Sequence, residues 1–275
     1  MIFHTSQPQS PLNQFIDSFT YYSGYNPEHS IEKLLPDASI NLVIELDAIP
    51  RYTFDNATLT PQTKCINAWI SGMQTSFICY SAEKHSRMIV IRFKANGSYP
   101  FLQLPLLELT DTIIDAEFIF GKEILELRER LLYQRTPDTM FALVGQWLLQ
   151  HLHQATLAET VVDYSIATLN SFPSLTTINK LTEKTGYSQK HFIQIFKKFV
   201  GLTPKKYQRV VRFNKALQEI EKFKNIDWMS ISYDCGFYDQ AHFINEFKIF
   251  ADMNPSDYLQ NRGKYPNYIP IFSER

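Results

Sequence analysis

Gln189, Lys190, Ile193 and Gln194 put amide, ammonium and methyl groups within one short stretch, and Gln240, Ala241, His242 and Asn245 put a second such group 51 residues later. Glutamine and asparagine amides can pair bidentately with adenine, lysine donates to guanine, and an aliphatic side chain packs on a thymine methyl. The chemistry available is therefore recognition of base edges in duplex DNA. Around these residues Ser188, Lys197, Lys198, Lys205, Lys206, Arg209 and Lys248 can hold phosphate oxygens, which fixes register without reading sequence. On a single helix the same residues would more simply be a solvated polar face. Their recurrence and the local charge favour the DNA reading.

The elements that must position these side chains are written twice. The first copy runs Gly186-Tyr187-Ser188, Phe192, Phe196-Lys197, Gly201, Pro204, Tyr207; the second runs Gly236-Phe237-Tyr238-Asp239, Phe243, Phe247-Lys248, Asp252, Pro255, Tyr258. A fixed period means one supersecondary unit used twice. In the first copy Leu175, Ile178 and Leu181 predict a short helix ending near Lys184, Gly186 makes the turn, and Ser188 caps a helix that buries Phe192, Ile195, Phe196 and Phe199. In the second, Trp228, Ile231 and Met229 mark the first helix, and Asp239 caps a helix with Phe243, Phe247 and Phe250 inward. Two short helices about a glycine-containing turn form the helix-turn-helix unit. Pro204 opens a linking helix through Tyr207, Val210, Phe213, Leu217 and Ile220 to about Phe223.

At these residues the chain resembles the AraC family of transcription regulators. The family signature I-A-x-x-x-G-F-x-[DS], a phenylalanine, a basic residue, F-[KR] and G-x-[ST]-P-x-x-[YF] is met by Ile231-Ser232, Gly236-Phe237-Tyr238-Asp239, Phe243, Phe247-Lys248, Pro255 and Tyr258. Asn245, Asp252 and Asn254 depart from it, where the family has Arg or Lys, Gly, and Ser or Thr. The resemblance implies an all-α DNA-binding domain of two helix-turn-helix units joined by a long helix. Two such units should address major-groove segments roughly 34 Å apart, and a rigid linking helix would require bent DNA at a cost of a few kcal/mol.

The net charge of −1 conceals an asymmetry: residues 165–275 hold 16 Lys and Arg against 10 Asp and Glu, leaving residues 1–164 acidic. Within the basic half, residues 180–224 carry 12 basic and 3 acidic side chains, whereas 227–262 carry 2 and 6. Non-specific affinity comes from phosphate neutralisation. The first unit and linking helix are therefore expected to supply most of the binding energy, and the second unit base contacts or little. Three scattered cysteines, Cys65, Cys79 and Cys235, make neither a disulfide framework nor a zinc ribbon. No Gly-rich phosphate loop, G-x-S-x-G elbow or H-E-x-x-H helix occurs, so no catalytic residue, metal site or cofactor is assigned. Without an apolar run of membrane length or a signal-peptide pattern, a cytoplasmic location is expected.

Residues 1–11 look like an irregular leader, and Leu12–Tyr25 is an aromatic stretch suited to packing. Ile40–Leu46, Tyr52–Phe54, Ala68–Ile70, Ser76–Tyr80 and Met88–Phe93 predict short strands of a small barrel or sandwich. Lys122–Gln134 and Asp138–His153 predict helices, the second capped by Asp138, which pack on their own domain or supply a dimer interface. Leu35-Pro36-Asp37, Leu42-Val43 and Arg92-Phe93 before Gly97 resemble the cupin-like domain found in one branch of the AraC family, which implies a sensing or oligomerising barrel. The expected fold is α+β: a β-rich, barrel-like regulatory domain with helices over residues 1–154, the all-α DNA-binding domain over 155–264 after a linker at Gln154–Glu159, and a tail over 265–275. Expected partners are double-stranded DNA and a small-molecule effector of the N-terminal domain; RNA polymerase and a second copy of the chain are further candidates, and no membrane is expected. The competing reading is a sensor or interaction protein whose acidic second unit has weakened DNA binding.

Overall fold

The computed structural model describes residues 1–153, 157–222, 226–263 and 265–272. Eleven strands among these form two antiparallel sheets. One contains β1 (Ile2–Ser6), β2 (Ile16–Ser23), β4 (Ile40–Glu45), β7 (Ala68–Ser71), β9 (Arg87–Phe93) and β10 (Ile113–Asp115), in the order β1-β2-β9-β4-β7-β10. The other contains β3 (Ile31–Leu34), β5 (Arg51–Phe54), β6 (Pro61–Cys65), β8 (Ile78–Ser81) and β11 (Tyr268–Ile271), in the order β11-β3-β8-β5-β6. The two sheets enclose a cavity, so the N-terminal half is an open β-sandwich with helices.

Strand pleating divides β4 between two environments. Ile40, Leu42 and Ile44 join Ile89, Ile91 and Phe93 of β9 in an apolar core, while Asn41, Val43 and Glu45 line the cavity. That core is covered by α3 (Glu123–Leu132) and α4 (Pro137–Gln150), which contribute Ile124, Leu127, Leu131, Val144 and Leu148. Two shorter helices, α1 (Tyr99–Leu102) and α2 (Glu117–Phe120), precede them. Thr136, not Asp138, caps α4: its side chain accepts from Thr139 N–H, and Pro137 occupies the first helical position, where its missing N–H costs nothing. The expected leader contains β1, and the aromatic stretch contains β2, whose Phe19 and Tyr21 are buried on one face while Thr20 and Tyr22 reach the cavity on the other.

The C-terminal half is helical: α5 (Leu157–Ser171), α6 (Ile178–Thr185), α7 (Gln189–Val200), α8 (Pro204–Lys222), α9 (Trp228–Asp234), α10 (Gln240–Ala251) and α11 (Pro255–Asn261). Of the expected linker, residues 154–156 lie outside the described residues, as does Phe223 at the expected end of the linking helix. Leu175 does not join the stripe of the first repeat helix. It is 69% exposed and precedes Thr177, which caps α6 by accepting from Lys180 N–H. Met229 is likewise exposed, because Trp228, Ile231 and Ser232 form the inward face of α9.

The segment expected to be a tail re-enters the N-terminal half. β11 pairs with β3 from Tyr268↔Leu34 to Ile271↔Ile31, and Leu35 N–H donates to Asn267 O at 2.9 Å. Further bonds tie the halves: Thr110 Oγ1 donates to Gly201 O at 2.7 Å, Asn214 Nδ2 to Pro36 O at 2.9 Å, and Lys33 Nζ meets Asp252 Oδ2 at 3.0 Å. The Tyr99 ring lies 4.3 Å from that of Phe199.

Candidate functional site

Each second helix of the repeat is held by a cap at both ends. Ser188 accepts from His191 N–H and Asp239 from His242 N–H, while Gly201 and Asp252 close the helices in the left-handed conformation at φ 89° and 58°. Asp252 stands where the family has glycine; aspartate is among the few side chains that adopt this conformation readily. Asn254, in place of Ser or Thr, caps α11 by accepting from Ser256 and Asp257 N–H. These two departures from the signature therefore keep its backbone roles.

Phe192, Phe196 and Phe199 of α7, and Phe243, Phe247 and Phe250 of α10, are buried. The opposite face of α7 leaves Gln189, Lys190 and Gln194 exposed with Ile193 half-buried; on α10, Gln240, Ala241 and Asn245 are exposed. His242 is partly engaged, since its Nδ1 accepts from Tyr238 N–H at 3.2 Å. Among the phosphate candidates Ser188, Lys205, Lys206 and Lys248 are exposed and Lys197 half-buried. Lys198 is exposed as well, with its ammonium 5.5 Å from the centroid of the Tyr99 ring.

Three basic residues of the linking helix are used internally. Arg209 forks onto Glu246 with Nε to Oε2 at 2.7 Å and Nη2 to Oε1 at 2.9 Å. Arg212 donates to Gly236 O at 3.0 Å, and Lys215 to Asp234 O at 2.8 Å. These three side chains fasten the second unit to α8. Five of the six acids that make the second unit negative are similarly engaged: Asp227, Asp239 and Asn254-bound Asp257 sit at helix N-termini, Glu246 is under Arg209 and Asp252 meets Lys33, while Asp234 is exposed. Its exposed α10 face carries no carboxylate among Gln240, Ala241, Asn245 and Lys248.

The second candidate site is the cavity between the sheets, about 530 Å³. Its polar lining went unnoticed in the sequence, where Glu45 stands between Ile44 and Leu46 in an apolar run. Glu45 is 1% exposed, and burial pushes its carboxyl up to about 7 against the opposing pull of Arg51, the Trp69 N–H bond and Arg128, with Asp47 adding to the rise. A raised carboxyl pKa stabilises the fold below the ordinary value near 4.5, and this contribution is lost as pH rises through 7. Glu45→Gln removes that dependence. Urea unfolding should find the variant more stable relative to the parent at pH 8 than at pH 5, by about 2 kcal/mol; equal differences at both values would refute the assignment.

The three thiols are buried and free, and burial pushes Cys65 and Cys235 up to about 12 and Cys79 to about 11, which leaves them unreactive. Among the described residues no helix is long and apolar enough to cross a membrane.

A helix-turn-helix domain model matches residues 181–261, and a model of a domain of unknown function, DUF6597, matches residues 4–115. The uncharacterized HTH-type transcriptional regulator YbfI of Bacillus subtilis is 24% identical over 157 residues, 54% of this chain and 54% of YbfI. The chain thus spans about half the length of that relative. Probable transcription factor PqrA of Proteus vulgaris is 32% identical over 90 residues, which are 33% of this chain and 72% of PqrA. A crystal structure of ToxT from Vibrio cholerae superposes with a TM-score of 0.47 at 13% identity, covering 89% of this chain and 98% of that one. The doubled unit, its capped helices and the relation to PqrA give one conclusion: the chain belongs to the AraC family of transcription regulators.

Proposed function

We propose that the chain is a sequence-specific DNA-binding transcription regulator, in which α7 and α10 read adjacent major-groove segments under control of the N-terminal sandwich. The observation that carries this is the pair of capped helices with buried phenylalanine faces and exposed amide and lysine faces. Gln189, Lys190, Ile193 and Gln194 read bases in the first unit; Gln240, Ala241 and Asn245, with His242 at the edge, do so in the second. Ser188, Lys197, Lys198, Lys205, Lys206 and Lys248 hold phosphates, whereas Arg209, paired with Glu246, supports the fold. The boundaries that fit this division are 1–154 and 155–264, with β11 serving the N-terminal sandwich although it follows the helical domain.

Selection of bound fragments from a bacterial genome, followed by titration of the enriched and a scrambled duplex at several salt concentrations, tests the proposal. One motif with two half-sites a helical turn apart is expected; no enrichment with a salt slope near zero would overturn it. Gln194→Ala should weaken the enriched duplex by about 1–3 kcal/mol and leave the scrambled one unchanged. Replacing Lys205 and Lys206 together by alanine should weaken both duplexes and reduce the slope of log K against log salt by about 2.

A further inference from the structure

The cavity wall is built in cross-strand rows. On the larger sheet, Tyr22, Met88 and Glu45 form one row, and Thr20, Val90, Val43 and Trp69 the next. On the facing sheet Pro270, Glu32 and Tyr80 lie side by side across β11, β3 and β8. Aromatic faces and carboxylates therefore look at each other across the space.

The charges in this wall are unbalanced in one direction. Arg51 Nη2 lies 2.8 Å from Asp47 and 3.2 Å from Glu45, and Arg92 lies 2.5 Å from Asp37 and 3.6 Å from Asp17. Each guanidinium thus stands between two carboxylates, and neither is left to receive an anionic ligand. Glu32 is saturated, with His29 at 2.7 Å, Tyr80 at 2.9 Å and a hydrogen bond from Tyr25. Glu45 is not: Oε1 accepts from Trp69 Nε1 at 3.2 Å, while Oε2 lies 3.2 Å from Arg51 Nη2 in an ion pair without hydrogen-bond alignment, on a guanidinium already bonded to Asp47. One guanidinium shared by two carboxylates leaves a net negative charge at this end of the cavity, which a cation would offset. Aromatic rings flanking such a carboxylate attract a cation further through their faces.

We propose that the cavity takes a small organic amine in its ammonium form, with its N–H groups on Glu45 Oε2 and its carbon skeleton against the wall that includes Tyr22, Trp69 and Tyr80. A volume of about 530 Å³ suits such a molecule. The ligand class rests on the reading of the N-terminal sandwich as the sensing part, and the test separates the two.

The full chain is titrated by calorimetry and by thermal shift with two matched sets of probes: phenethylamine, 2-phenylethanol and 3-phenylpropionate, and n-hexylamine, n-hexanol and hexanoate. At least one amine should bind about tenfold or more tightly than its alcohol and carboxylate counterparts, and Glu45→Gln should remove that preference. The comparison of probes on the parent protein stands even where the variant fails to fold. Carboxylates binding better than amines, an alcohol binding as well as its amine, or no binding by either amine would overturn the proposal. The sensing reading is judged separately. An amine that binds without changing affinity for the selected duplex upholds the ligand class and refutes sensing. Val90→Trp, which fills the cavity, should change DNA affinity whatever the ligand.

Discussion

Gly236→Ala is expected to destabilise the helical half by about 3 kcal/mol or more, whereas Gly186→Ala, at the matching place in the first unit, should cost only about 1 kcal/mol. Both glycines adopt the left-handed conformation, at φ 79° and 73°, so both variants carry the same backbone strain. They differ in what surrounds them. A Cβ on Gly186 would meet nothing within 4 Å. One on Gly236 would stand 1.8 Å from Ser174 Oγ, 2.4 Å from its Cβ and 3.0 Å from its Cα, so the chain between α5 and α6 would have to retreat. Gly236 also presents its carbonyl to Arg212, whose position over the Phe237 ring, 5.3 Å from its centroid, depends on that turn. Retreat would therefore loosen α8 from α9 as well. Urea denaturation of the two variants beside the parent measures the difference. Equal costs would show that Ser174 yields freely and that the first turn of one unit does not buttress the other.

That asymmetry between two copies of one motif marks the limit of reading the chain as a repeat. Spacing of Phe192, Phe196 and Phe199, and of Phe243, Phe247 and Phe250, with a capping residue before each set, was enough to place α7 and α10, because local periodicity and local caps decide short amphipathic helices. The packing of unit on unit is decided by pairs distant in sequence. Arg209 looked like a phosphate ligand because basic residues surround it, and only the approach of α10 reveals Glu246 as its partner. The strands show the same division: β4 and β9, rich in β-branched residues, were legible, whereas β6, with Pro61, Gln62, Thr63 and Lys64 exposed, has no apolar face to announce it. The cavity was hidden for a further reason. Alternation in Asn41, Val43 and Glu45 normally signals a solvent face, and here a second sheet closes over it. Glu45 followed by buried Leu46 was the trace of that arrangement in the sequence.

Removal of residues 265–275 is expected to have the largest effect of all, separating the unfolding of the two halves and lowering the stability of the sandwich by roughly 5 kcal/mol. Several losses act together. Ile269, 2% exposed, leaves the core, at a cost of about 2 kcal/mol or more. The β3 edge loses its ladder with β11 and becomes an unpaired edge facing water. Tyr258, fully buried under α10 and edge-on to Phe247 at 5.5 Å between ring centroids, loses the acceptor for its hydroxyl, Pro266 O at 2.8 Å, and an orphaned buried donor costs about 1–3 kcal/mol. Unfolding followed by intrinsic fluorescence in urea should change from one transition to two, the earlier one belonging to the sandwich; one unshifted transition would refute the role given to β11. The functional consequence follows from position. Tyr265, Tyr268 and Pro270 line the cavity, and the same segment leads back to Tyr258 and the second helix-turn-helix unit, so it is a short covalent path between the space that would hold a ligand and the helix that would read DNA. In the truncated chain, filling the cavity with Val90→Trp should no longer change affinity for the selected duplex, while in the full chain it should.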